Sequence, residues 1–158
     1  MTPRRVKVRL SFEGRRYIGY LELPEGVYRV SDVLNDPSPF LKLMEVSSLE
    51  PLNPNSYLAV RKSGISYVQA LEEVENPKRL VEEGTFVPVI VKLRMIQTRI
   101  AGHAFVPQNE KDIIHFLNLS RPFLNFKDVE ILGTAERYEY LAVGKNQIAF
   151  VEVMPPGT

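Results

Sequence analysis

The chain has no cysteine and no tryptophan, and only two histidines among its 158 residues. The absence of cysteine excludes disulfides, thiolate nucleophiles, iron–sulfur clusters and zinc–thiolate sites together. His103 and His115 have no third ligand at a recognisable spacing, so no metal centre is expected. Serine-elbow, P-loop and dinucleotide fingerprints are missing as well. Carboxylates are plentiful, but no spacing among them singles out a catalytic pair, and only the fold could bring two distant ones together. The expectation is a non-enzymatic protein with no catalytic residue and no cofactor. Long apolar runs are also lacking, and the opening "MTPRRVKVRL" has no signal-peptide core, which points to a cytoplasmic location without membrane contact. Charge of one sign is scarce too: the net charge of +1 supplies no global attraction to nucleic acid and leaves only local basic patches.

What is present is a phrase written twice. "YLAVRKSGISYV" begins at Tyr57 and "YLAVGKNQIAFV" begins at Tyr140, an offset of 83 residues. At that offset the match runs without a gap from Val6 with Val89 to Ala70 with Val153. Gly19 meets Gly102, Pro24 meets Pro107, Leu34-Asn35 meets Leu117-Asn118, and Pro39-Phe40-Leu41 meets Pro122-Phe123-Leu124. A gap-free match that keeps its apolar periodicity indicates a tandem duplication. Residues 1–75 form the first module, 76–86 a charged connector and 87–158 the second. Modules this small sit near the lower limit of independent stability, so a shared contact surface is expected.

Each module can be read against its copy. Val6, Val8, Leu10 and Phe12 alternate, as do Val89, Val91, Leu93 and Met95, a period of two that predicts a strand with one buried face. A turn at Glu13-Gly14 leads to a second strand, ended by Pro24 or Pro107, which makes an antiparallel hairpin. The period then changes: Val30, Val33 and Leu34, like Ile113, Phe116 and Leu117, fall at i, i+3 and i+4 of a short amphipathic helix. Asn35 and Asn118 follow, as residues that tolerate a left-handed cap. A third strand and then two more around Ser63-Gly64, or Asn146-Gln147, are expected to close the unit, with a tight positive-φ turn between the last pair. In the connector, Asn76 and Pro77 read as the start of one helical turn and Gly84 as its stop. The fold class is mainly β: two tandem, five-stranded antiparallel barrel-like modules, each with one short helix between its second and third strands.

The residues "VKVRLSFEGRRYIGYL", "FLKLMEVSSLE" and "YLAVRKSGISYV" resemble the Sm-like small-barrel family. Its first motif, an apolar strand pair with a turn glycine and another glycine five residues later, is matched by Gly14 and Gly19. Apolar residues leading to an acidic one are matched by Leu43 and Glu45, and by Phe126 and Asp128. Its basic-and-glycine turn before an isoleucine is matched by Arg61, Lys62, Gly64 and Ile65, while the second copy keeps Gly102, Lys145 and Ile148 but has Gln97 in place of Gly14. The departure is the helix, which sits where that family has a short nucleotide-contacting loop. "RVSDVLN" followed by "PFL" is also similar to bacterial modules of unassigned function, which implies no activity.

Two functional expectations follow. The first is a scaffold that binds a protein partner, or associates with itself, through the unpaired strand edges of its barrels. Joined head to tail, three chains could close a ring of six barrels. The second, implied by the resemblance, is single-stranded RNA binding. Lys62 and Lys145 take the place of that family's basic nucleotide-contacting residue, with Arg61 and Asn146 beside them. Arg15, Arg16 and Arg99 are candidate phosphate contacts, and Tyr17 and Tyr67 candidate stacking platforms. The plainer alternative for these residues is solvated turn cations and barrel-wall tyrosines. Arg61-Lys62-Ser63-Gly64 differs from Gly144-Lys145-Asn146-Gln147, so any ligand is expected to favour one copy.

Overall fold

Alternating apolar residues produce the first hairpin as read from the sequence. In the computed structural model, which describes residues 4–47, 56–72, 83–109 and 112–155, β1 (Arg4–Phe12) pairs antiparallel with β2 (Arg15–Leu23) along its whole length. Val6, Val8 and Leu10 are buried, and Glu13 and Gly14 take φ of 51° and 78°, the positive pair that a tight two-residue hairpin requires. A short helix, α1 (Val30–Leu34), buries Leu34. It is followed by β3 (Phe40–Met44), β4 (Tyr57–Arg61) and β5 (Ile65–Ala70).

The second half repeats the order with β6 (Gly84–Leu93), β7 (Arg99–Pro107), α2 (Ile113–Leu117), β8 (Phe123–Ile131), β9 (Arg137–Gly144) and β10 (Ile148–Val153). Gly84 opens β6, and the helical turn expected from Asn76 lies outside the described residues. Met95, expected on the buried face of β6, falls beyond the strand and is exposed.

Three local expectations are corrected. The strands flanking Ser63-Gly64 are not a hairpin: β4 pairs with β3 and β5 with β1, joined by a 3-10 turn at Lys62–Gly64. The turn at Lys145–Gln147 likewise passes the chain from β9, paired with β8, to β10, paired with β6. Gly64 has no positive φ. An added Cβ there would lie 2.5 Å from the Phe12 ring, which would have to shift to admit it. Third, Asn35 and Asn118 end their helices at φ of −92° and −94°, so neither is a left-handed cap.

The acidic residues Glu45 and Asp128 do adopt the left-handed region, at φ of 51° and 48°. Asp128 sits where the β7–β8 pairing breaks register, between Glu130 opposite Ala101 and Lys127 opposite His103. Gly19 and Gly102 lie beneath these kinks. A Cβ on Gly19 would stand 2.8 Å from Leu43 and from the Met44 carbonyl, and one on Gly102 would stand 3.2 Å from Val129. A left-handed kink facing a glycine bends the sheet sharply, as β-bulges do.

All ten strands belong to one antiparallel sheet, in the order β10-β6-β7-β8-β9-β5-β1-β2-β3-β4. The two halves therefore do not stand as separate sheets. They join where β5 meets β9, with Tyr67 opposite Val143 and Val68 opposite Ala142. Two apolar cores flank the join, and they exchange members across it. Tyr67 of the first half belongs to the core of the second, while Phe123 and Ala142 of the second half belong to the core of the first.

Candidate interaction edges

The β5–β9 junction is built from contacts that the sequence repeat does not reproduce elsewhere. Gly144 ends β9 against the first half, where an added Cβ would come within 2.0 Å of the Ile65 carbonyl oxygen. Its φ of −66° and ψ of 117° suit any residue, so the glycine is there for the close approach and not for its backbone freedom. The aligned Arg61 has nearly the same dihedrals, φ −71° and ψ 119°, with a full side chain.

Polar groups fasten the same seam. Asn35, just past α1, accepts the backbone N–H of Phe123 through Oδ1 at 2.9 Å. Gln147 donates from Nε2 to the Ser63 carbonyl at 2.7 Å. Arg16 at the start of β2 makes a two-pronged pair with Glu136, Nη1 to Oε1 at 2.6 Å and Nη2 to Oε2 at 2.5 Å. The Arg16 guanidinium, with help from the Tyr138 hydroxyl, lowers the Glu136 carboxyl from 4.5 to about 2.

Among the described residues β4 and β10 are the two ends of the sheet, and they expose what the junction buries. Phe40 is 50% exposed, whereas the aligned Phe123 is 1% exposed. Phe150 on β10 is 54% exposed, whereas the aligned Tyr67 is 3% exposed. Ile65, Ser66 and Val68 are buried on β5, while Ile148 and Val151 are half-buried and Ala149 is exposed on β10. The outer face of β3 and β4 mixes these apolar groups with cations: Arg61 lies over the Phe40 ring at 5.7 Å, and Lys42 over the Tyr57 ring at 4.6 Å.

Among the candidate nucleic-acid residues, Arg61, Lys62, Lys145 and Asn146 lie at the two 3-10 turns that meet through the Gln147–Ser63 bond, and the rest lie on other elements. Lys62 is only 6% exposed, and its Nζ donates to the carbonyls of Asp36 at 2.8 Å and Val33 at 3.3 Å, at the end of α1. Burial lowers the Lys62 pKa, and nearby Asp36 opposes that shift in part. In the second half the Lys145 Nζ donates to the Leu119 carbonyl at 2.6 Å. Both lysines thus add a donor to carbonyls around the helix ends, where Val33 and Leu119 also accept the backbone N–H of Asp36 and Arg121. Tyr67 is a core residue with no ring face turned to solvent, and Tyr17 packs half-buried against the first core. Arg16 is held by Glu136, while Arg15 at the start of β2, Arg99 at the start of β7 and Asn146 in the Lys145–Gln147 turn are exposed. Arg61 alone stands beside exposed aromatics.

A shallow depression of about 420 Å³ lies over the β8–β9 strands beside Asp128, Glu130 and Arg137. Among the described residues no group of three or more potential metal ligands gathers, and no helix is long and apolar enough to cross a membrane. Sequence reasoning missed the junction residues Asn35, Glu136, Gly144 and Gln147 as a set. The visible signal was the change from Arg61-Lys62-Ser63-Gly64 to Gly144-Lys145-Asn146-Gln147 after the shared Tyr-Leu-Ala-Val run. No protein-family model, curated protein or solved structure matches the chain.

Proposed function

We propose that this protein is a non-enzymatic scaffold that associates through its two open strand edges, β10 of one chain against β4 of the next. In this reading each half curls into a small Sm-like barrel around a core that its neighbour helps to fill. The observation that supports it is the paired difference in burial: residues buried where β5 meets β9 have aligned counterparts exposed on β10 and β4. An open edge presents unpaired N–H and C=O groups as a template for another strand, and Phe40 and Phe150 add apolar area to it. Because the contact is head to tail, it closes a ring when the rotation permits, and three chains would give six barrels. Light scattering coupled to size exclusion tests this over a wide concentration range. Masses rising to a discrete multiple of the 18.1 kDa chain are expected, with Phe40→Asp returning the monomer. A wild-type chain that stays monomeric at every concentration overturns the reading.

A second reading, single-stranded RNA binding, has one feature in its favour. Arg61, Phe40, Lys42 and Tyr57 make an exposed surface of alternating cations and rings, the combination that tracks phosphates and stacks bases. Fluorescence anisotropy of labelled RNA at near-physiological salt is the test. Saturable binding weakened by Arg61→Ala and Lys42→Ala supports it, and no binding even at low salt removes it.

A further inference from the structure

Arg61 stands in β4 where Gly144 stands in β9, and the difference decides how closely a strand can be approached on that edge. At the internal junction the backbone of β5 comes so near Gly144 that any Cβ would meet the Ile65 carbonyl at 2.0 Å, against roughly 3.5 Å for an ordinary contact. Gly144 and Arg61 share their backbone conformation and open the same kind of 3-10 turn. Superposing the internal junction on the outer edge therefore places the Arg61 Cβ against the Ile148 carbonyl of an incoming chain, since Ile148 aligns with Ile65.

We propose that Arg61 is a gatekeeper that keeps the β4 edge from accepting a second copy as tightly as β9 accepts β5. The inference rests on the edge-association reading above and names its second-copy partner. The remaining contacts agree in sign. In the sequence Asn53 aligns with Glu136, so the carboxylate of the Arg16–Glu136 pair has no aligned counterpart, and the Gln147 amide that reaches Ser63 is replaced by Gly64. What does recur is the apolar part and one cap. Phe40 and Ile148 keep the identity of Phe123 and Ile65, and Asn118, exposed after α2, repeats Asn35, so its Oδ1 is placed to accept the Phe40 N–H of the next chain. The outer contact is thus a weakened edition of the inner one. The chain pairs its own halves first and its copies second, with position 61 setting the gap between the two.

The Cβ, not the charge, is the obstacle, and that makes the idea separable by substitution. Sedimentation equilibrium on wild type, Arg61→Gly and Arg61→Ala should show Arg61→Gly associating at roughly tenfold lower concentration than wild type. Arg61→Ala, which keeps the Cβ but loses the cation, should fall much nearer to wild type. Association of the glycine variant should weaken again when Asn118→Ala is added. Equal association of the glycine and alanine variants overturns the steric gate. If wild type and Arg61→Gly both remain monomeric, the gate and the edge-association reading fall together. If Arg61→Gly alone assembles, the gate stands and wild-type self-assembly falls. If wild type assembles and Arg61→Gly is no tighter, the gate falls and self-assembly stands. Circular dichroism of each variant at the same concentrations verifies that the sheet is intact.

Discussion

Asn35 accepts the backbone N–H of Phe123 across 88 residues of chain, tying the end of the first helix to the start of β8 in the other half. Phe123 is buried, so its N–H has no water to fall back on. Asn35→Ala should therefore cost about 1–3 kcal/mol, the penalty for a buried donor left unpaired. Asn118→Ala, at the aligned but exposed position, should change monomer stability by less than about 0.5 kcal/mol. Urea unfolding of the two variants side by side checks the contrast, and equal losses would contradict it.

Gly144→Ala should open the seam between the halves. The added methyl has to displace the Ile65 carbonyl, and overpacking of this kind costs about 1–3 kcal/mol although alanine suits strands better than glycine. Hydrogen exchange should show the loss first in β5 and β9. Protection unchanged in those two strands would show that the backbones are not in close contact there.

The Arg16–Glu136 pair gives the junction an acid-sensitive element. Glu136 is held at about 2 in the folded chain against an ordinary 4.5, so its contribution is complete above pH 4.5 and is lost as the pH falls from there towards 2. Arg16 is partly open to solvent, which screens the pair to about 1 kcal/mol. The stability difference between wild type and Glu136→Gln should shrink by roughly half between pH 7 and pH 3. A difference that does not change with pH would mean that the carboxylate is not engaged.

Lys62→Ala should destabilise the fold by about 2 kcal/mol, since it removes a buried stem and takes the Nζ donor from the Asp36 carbonyl, while the Val33 carbonyl keeps the Asp36 N–H. Lys145→Ala, which loses a single bond to Leu119 from a less buried position, should cost less. Thermal melts compare the two. Any RNA-binding assay that uses Lys62→Ala has to be read beside its melt, because lost binding can report lost structure.

How much of this was legible follows from what periodicity measures. Alternation at Val6, Val8 and Leu10 names the face that is buried, and the i, i+3, i+4 spacing at Val30, Val33 and Leu34 names a helix, and both survive in the fold. Neither pattern names a partner strand. That β4 pairs with β3 and not β5, and that β5 reaches across to β9, depends on the kinks at Glu45 and Asp128 and on the 3-10 turns, none of which leaves a periodic trace. Identity between the halves suggests the same work in both, which hides the different fates of Asn35 and Asn118. Residues that differ were the better guide to the junction, and Arg61 against Gly144 was written plainly there.

The exchange of Tyr67 and Phe123 between the two cores means that each half lends the other a wall of its interior. A chain cut between the halves would leave both pieces with an open core, so the two are expected to melt as one cooperative body and not as two beads on a string.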